Sequence, residues 1–173
     1  MPHSQIKRIL KENRHVAIDL KGGVFSQKGF ITVNSQDLPG VDLVLDLEKY
    51  PWPFPSNCAD LLISSHLINH LNRNNRNVIR FFDEAWRVLK PKGQFMISAP
   101  YGLSYQYIQD PTNTNPVNEA FFCYFDPFDQ MSKGELYKVY RPMPWKMVTI
   151  AFKQEGNLEV LLEKRPDDRS YHE

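Results

Sequence analysis

The sequence predicts an α/β protein: a mostly parallel sheet, reduced helices on one face, and a C-terminal antiparallel hairpin. Three observations lead there. Short apolar runs, VAIDL, FITV, DLVLDL and DLLIS, succeed one another in the N-terminal part, separated by Gly-, Pro- and Asn-containing stretches. One long amphipathic helix then precedes a further apolar run, QFMISAP. A strand, a helix and a strand in succession form a parallel pair, since a tight turn can join only antiparallel strands. Finally, PWKMVTIAFK (144–153) and LEVLLEKR (158–165) flank Gln-Glu-Gly-Asn, which reads as a hairpin with a glycine-containing turn.

Each element follows from its residues. Residues 4–13 read as a helix, with Ser4 as N-cap and Ile6, Ile9 and Leu10 on its apolar side. Lys7, Arg8, Lys11 and Arg14 are its solvated face. HVAIDL (15–20) is a buried strand running into Lys21-Gly22-Gly23, and GFITVN (29–34) and VDLVLDL (41–47) are the next two. Pro51, Pro53 and Pro55 exclude helix and central strand from 48–57. DLLISSH (60–66) is the fourth strand. In VIRFFDEAWRVLK, the residues Val78, Phe81, Phe82, Ala85, Trp86 and Leu89 share one helical face, and Pro91-Lys92-Gly93 ends the helix. QFMISAP (94–100) is the fifth strand. Tyr101 to Arg141 is aromatic and irregular, and Asp83 and Glu84 read as solvated charges or local pairs.

The linkers KGGVFSQK and SQDLPG are shorter than the roughly dozen residues of a parallel crossover. Helices on one face are therefore missing or reduced. A homo-oligomer is the expected cover for the bare surface; the N-terminal helix and residues 101–141 are the other candidates.

The 173 residues suit one domain, 1–173, and 42% hydrophobic with 24% charged residues suits a soluble globular chain. A net charge of +1 gives no general nucleic-acid or membrane field. Cys58 and Cys123 lack metal-type spacing, and no apolar leader or membrane-length run is seen, so a reduced, cytoplasmic setting is expected. His66 and His70 stand four apart, but Leu67 replaces the glutamate a helical zinc site needs and no third ligand follows, so no metal is expected.

DLVLDLEKYPWPFPSNCADLLISSHLINHL followed by FFDEAWRVLKPKGQFMISAPYG resembles the central segment of class I S-adenosylmethionine-dependent methyltransferases of the type 11 kind. The shared pattern is Asp-Leu after the third strand, a "PFP" lead-in, an Asp opening the fourth strand, a "hvlEHl" stretch, a helix ending "RVLKPGG" and a strand ending Ser-x-Pro. TVNSQDLPGVDLVLDL and YIQDPTNTNPVNEAFFCYF look like a compact subgroup, found in phage and environmental sequences, that has also lost the helix after the first strand. The likeness spans roughly residues 15–130.

The resemblance implies a Rossmann-like fold, S-adenosylmethionine as cofactor and methyl transfer to an acceptor that the sequence does not identify. Carried over by position, Asp19, Lys21, Gly22, Gly23, Asn34, Asp46, Leu47, Ser65 and His66 line the cofactor cleft. His66 and Tyr101 are the candidates for catalytic or acceptor contact. Three positions depart from the family pattern. Lys21 stands in the glycine loop, Asn34 replaces the acidic residue that grips the ribose hydroxyls, and Asn69 replaces the Glu of "EH". They carry the alternative reading, a non-catalytic methyltransferase-like binding or oligomerisation module.

Overall fold

A computed structural model describes residues 2–12, 14–23, 28–153 and 155–168. Part of the linker KGGVFSQK, the end of the first expected helix at residue 13 and Gln154 of the hairpin turn lie outside the described residues, as does the side chain of Ser4.

The elements are α1 (Pro2–Glu12), β1 (Ala17–Asp19), β2 (Phe30–Asn34), β3 (Leu43–Val44), β4 (Ala59–Ser65), α2 (Asn77–Val88), β5 (Leu89–Pro100), three short helices α3 (Tyr105–Ile108), α4 (Glu119–Cys123) and α5 (Glu135–Tyr140), then β6 (Trp145–Phe152) and β7 (Asn157–Lys164). They form one seven-stranded sheet in the order β3-β2-β1-β4-β5-β7-β6. Pairing is parallel from β3 to β5 and antiparallel for β5 with β7 and β7 with β6. The mostly parallel α/β sheet with an antiparallel C-terminal hairpin is therefore as the sequence predicts.

Alternation along the strands sets the two faces. Leu62 of β4, Phe95 and Ile97 of β5, and Leu158, Val160 and Leu162 of β7 share one core with Phe81, Phe82, Ala85 and Val88 of α2. Phe82 stacks on Phe125 at 4.1 Å between centroids and meets Trp145 edge-on at 6.4 Å. On the opposite face Ile63, Met96 and Leu161 lie in register, and Met96 is 48% exposed. The exposure falls at the middle of the sheet. At β1 and β2 the described residues Ala17, Ile18, Asp19, Ile31, Thr32 and Val33 are all buried, although no helix lies within either short linker's described part.

Several boundaries differ from the sequence reading, each for a physical reason. The first helix begins at Pro2, so Ser4 lies inside it rather than at its cap. Proline at a first turn loses no hydrogen bond. The third strand shrinks to Leu43–Val44 because only Val33 and Asn34 of β2 offer it partners. α2 stops at Val88, before Pro91-Lys92-Gly93: Leu89 is already extended and pairs with Ala59, and the residue before Pro91 is pushed toward β by the ring. The irregular middle contains α3, α4 and α5, two of them capped by Ser104 and Asn118 side chains accepting from Tyr107 and Phe121 N–H groups.

Glu84 is buried rather than solvated, and it makes the expected local pair, with Arg87 one turn on. Its Oε1 accepts from the Trp52 backbone N–H at 2.6 Å and from Arg87 Nη2 at 2.6 Å, and its Oε2 from Arg87 Nε at 2.9 Å. Asp83 accepts from the Met143 N–H at 2.7 Å, and burial pushes its carboxyl up from the usual range. A proline-rich stretch cannot satisfy its own N–H groups by helix or ladder, so Glu84 supplies the acceptor. Asp60 is structural as its position suggests: it accepts from the Val16 N–H and pairs with Lys90 at 2.8 Å.

Candidate functional site

The strand order reverses direction between β1 and β4, so the crevice outside their C-terminal ends is where this topology receives a ligand. Two clefts open there. The larger, about 650 Å³, is lined by Asp19, Lys21, Gly22, Gly23, Asn34 and Leu38 and continues along Ile63, Ser65, Met96, Ser98 and Glu159. The smaller, about 200 Å³, has walls of Leu20, Leu45, Leu47, Leu67 and Leu71 with Asn34, Asp46, Glu48 and His70 among them. Lys21 and Asn34 belong to both.

Lys21 is the partition. Its Nζ donates to the His66 backbone carbonyl at 2.5 Å, bridging from the end of β1 to the end of β4. Burial pulls its ammonium below the usual lysine range, while Asp110 opposes that shift. Asn34 is a second tie: its Nδ2 donates to the Gly22 carbonyl at 2.8 Å and its Oδ1 accepts from the Gln36 N–H at 3.0 Å. One N–H and one oxygen lone pair of its amide are thus used within the protein.

The two glycines differ. A Cβ on Gly22 would fall 2.4 Å from Thr32 Cγ2 and 2.7 Å from Asp19 Oδ2, so Gly22 is required by the packing of the loop on β1 and β2. Among the described residues a Cβ on Gly23 would meet only Leu38 Cδ1, at 3.7 Å. Asp19 faces the same cleft, its carboxyl raised by burial and partly held down by the Lys21 N–H at 3.2 Å.

The remaining positions sort as follows. Asp46 Oδ1 accepts from the Glu48 N–H at 3.0 Å, and Oδ2 lies 3.4 Å from Lys49, so this half-exposed carboxylate rims the smaller cleft while closing a turn. Leu47 is buried, and its carbonyl accepts from Trp52 Nε1 at 3.0 Å. Ser65 is exposed at the end of β4. His66 has φ +51°, and its N–H reaches the Ser98 carbonyl at 2.8 Å. Burial, then Lys21 and His70, lower its imidazole pKa, so the ring is neutral at pH 7. Tyr101 lies away from both clefts. Its N–H bonds the Gly156 carbonyl, and its ring meets Phe152 edge-on at 5.5 Å.

Asn69 is buried, and its Nδ2 donates to Asn113 Oδ1 at 2.5 Å. Its carbonyl accepts the Thr114 and Asn115 N–H groups, which anchors the 110–115 loop beside His70. Asp110, at the start of that loop, accepts from Thr112 and stands 4.0 Å from His70 Nε2. Sequence reasoning missed Met96, Ser98 and Glu159. Ser98 Oγ donates to Glu159 Oε1 at 2.8 Å, a cross-strand pair in the β5–β7 register that nothing local in either strand announces.

The family model described as Methyltransferase domain matches residues 4–97. The chain belongs to this methyltransferase family. Solved structures agree on the fold. An S-adenosylmethionine-dependent methyltransferase from Archaeoglobus fulgidus is 13% identical, covers 94% of this chain and 93% of its own, and has a TM-score of 0.59. A 16S rRNA (adenine(1408)-N(1))-methyltransferase W203A mutant with cosubstrate S-adenosylmethionine, from Catenulisporales acidiphilia, is 11% identical over 97% and 94% with a TM-score of 0.57. An S-adenosylmethionine-dependent methyltransferase from Mesorhizobium loti is 12% identical over 92% and 98% with a TM-score of 0.54. No curated protein matches the chain. Among the described residues no helix is long and apolar enough to cross a membrane.

The residues of this methyltransferase domain fit the family's cofactor in kind. S-adenosylmethionine carries a flat heterocycle, two cationic centres and one carboxylate. The smaller cleft offers leucine walls and a carboxylate rim. The larger offers two carboxylates, Asp19 and Glu159, one ammonium, Lys21, and the Gly22-Gly23 backbone.

Proposed function

We propose that this domain binds S-adenosylmethionine across the two clefts and transfers its methyl group to an acceptor entering the larger one. The observation that carries the reading is the shared wall: two clefts of complementary chemistry meet at Lys21 and Asn34, at the point where the sheet reverses order. In this assignment Leu20, Leu45, Leu67 and Leu71 would hold the adenine ring, with Asp46 at its polar edge. Lys21 would take the carboxylate, and Asp19 and Glu159 the cationic centres. Bound there, the cofactor supplies a methyl group already activated on a sulfonium. The chain's own tasks are then placement and exclusion of water.

Lys21 does not close the site. Releasing its hydrogen bond to His66, a bond from a charged donor, costs about 1.5–3 kcal/mol, whereas micromolar binding is worth about 8 kcal/mol. A ligand carboxylate would replace the carbonyl that the lysine leaves. His66 lines neither cleft; it meets Lys21 through its backbone carbonyl.

The second reading, a binding module without catalysis, is favoured by Asn34. The strand ends in an amide tied to Gly22 and Gln36 rather than in a carboxylate that could accept from both ribose hydroxyls.

Thermal unfolding with S-adenosylhomocysteine separates the two. At about a hundredfold excess over Kd, a ligand of the folded state adds about 2.7 kcal/mol. For a chain of this size that raises Tm by about 5–10 °C. Gly23→Ala should keep the unliganded Tm and lose the ligand-induced rise. An unchanged Tm for the wild type at millimolar ligand would leave the module reading in place.

A further inference from the structure

A separate site lies at the opposite end of the sheet, where β5 begins and β7 ends. A cavity of about 580 Å³ opens there, within the range of small-ligand sites. Five cations line it, Arg87, Lys92, Lys146, Lys164 and Arg165, against two acids, Glu163 and Asp167. Trp86, Pro91 and Pro166 supply apolar wall.

Lys164 is the unusual member. It continues the inward series Leu158, Val160, Leu162 of β7, where the alternation calls for an apolar residue, and it is only 5% exposed. Its Nζ donates to Asn57 Oδ1 and to the Leu89 carbonyl, each at 2.7 Å, and sits 3.8 Å from the Trp86 ring centroid. All three partners are neutral. Among the described residues no carboxylate forms an ion pair with it. A buried full charge without a counter-ion is costly, and burial, with Arg87 adding to it, draws this amine down to about 8.

The other cations divide into spent and available. Arg87 is held by Glu84 at 2.6 Å and Arg165 by Asp126 at 3.2 Å. Lys146 stands 4.0 Å from Glu163, a long pair that leaves it half-exposed. Lys92 is exposed and makes no ion pair among the described residues. Lys92 and Lys146 at the mouth and Lys164 in the wall outnumber Glu163 and Asp167 and so leave a positive surplus beside an indole.

We propose that this basal cavity binds a small organic phosphate, with the phosphate drawn to Lys92, Lys146 and Lys164 and the apolar part against Trp86, Pro91 and Pro166. A dianion answers such a surplus better than a monocarboxylate, and the tryptophan wall selects an organic phosphate over the free ion. The inference stands independently of methyl transfer, because none of these residues belongs to the two clefts at the other end.

The test is calorimetric titration with AMP, with adenosine and inorganic phosphate as comparison arms. AMP should bind below millimolar Kd, and both comparison ligands at least tenfold more weakly. Lys92→Gln/Lys146→Gln should weaken AMP at least tenfold, while Asp46→Ala in the other site leaves it unchanged. In 15N-lysine spectra AMP should raise the pH at which Lys164 titrates. Both replaced lysines are exposed, so the double variant tests the site in a folded protein. No heat at about 10 mM AMP, equal binding of adenosine, or AMP binding that survives Lys92→Gln/Lys146→Gln would each overturn the assignment.

Discussion

Replacing Glu84 by alanine tests how the proline-rich segment is held beside the smaller cleft. The carboxylate accepts one backbone N–H from Trp52 and two guanidinium N–H groups from Arg87. Trp52 in turn donates through its indole to the Leu47 carbonyl, so Glu84 fixes the segment that forms the cleft's wall. Removing one partner of a buried pair costs about 3–5 kcal/mol. The lower end applies, because Arg87 is 28% exposed and keeps its bonds to the Trp52 carbonyl and Ser56 Oγ. Glu84→Ala should therefore lose about 3 kcal/mol, measured by urea unfolding, and about 6–12 °C in Tm. Glu84→Gln retains an acceptor for Trp52 but loses one charge-assisted bond to Arg87, and should lose about 1.5 kcal/mol, the lower end for such a bond. A loss below about 1 kcal/mol for alanine, or equal losses for both variants, would refute the reasoning.

Other outcomes follow from the same geometry. Gly22→Ala overpacks the loop against Thr32 and Asp19 and should cost about 1–3 kcal/mol in urea unfolding, against almost nothing for Gly23→Ala. Lys164 titrates near 8 folded and near 10.5 unfolded, so the unfolded chain holds more protons between those values and stability rises with pH there. Measured against Lys164→Met, which removes the opposing thiol and phenol titrations common to both proteins, the wild type should gain about 2 kcal/mol between about pH 7.5 and about pH 9.5. A flat difference would mean the amine is not desolvated.

Most of the fold was legible because its signals are local. Alternation in LEVLLEK and periodicity in VIRFFDEAW mark single elements, and each element's partner follows from the topology of a parallel sheet. The motif Asp46-Leu47 likewise marked the smaller cleft, since its role is carried by adjacent residues. What escaped depends on contacts distant in sequence. Glu159 joins the larger cleft only through the β5–β7 register, and Glu84 is buried only because the prolines of 51–55 leave the Trp52 N–H without a partner. Lys164 drew no notice in the sequence; its burial beside Trp86 and Asn57 appears only when β7 is laid next to β5. Tyr101 was placed near an acceptor by its position after the fifth strand, yet its ring is turned to Phe152.

The central claim is that the two clefts form one working cofactor site despite Lys21 and Asn34. Calorimetric titration with S-adenosylmethionine, on the wild type and on Asp46→Ala, tests it most directly. The account predicts micromolar binding by the wild type, weakened at least about tenfold, or about 1.4 kcal/mol, in Asp46→Ala. No heat from the wild type at millimolar cofactor would contradict it and leave a methyltransferase fold without its cofactor.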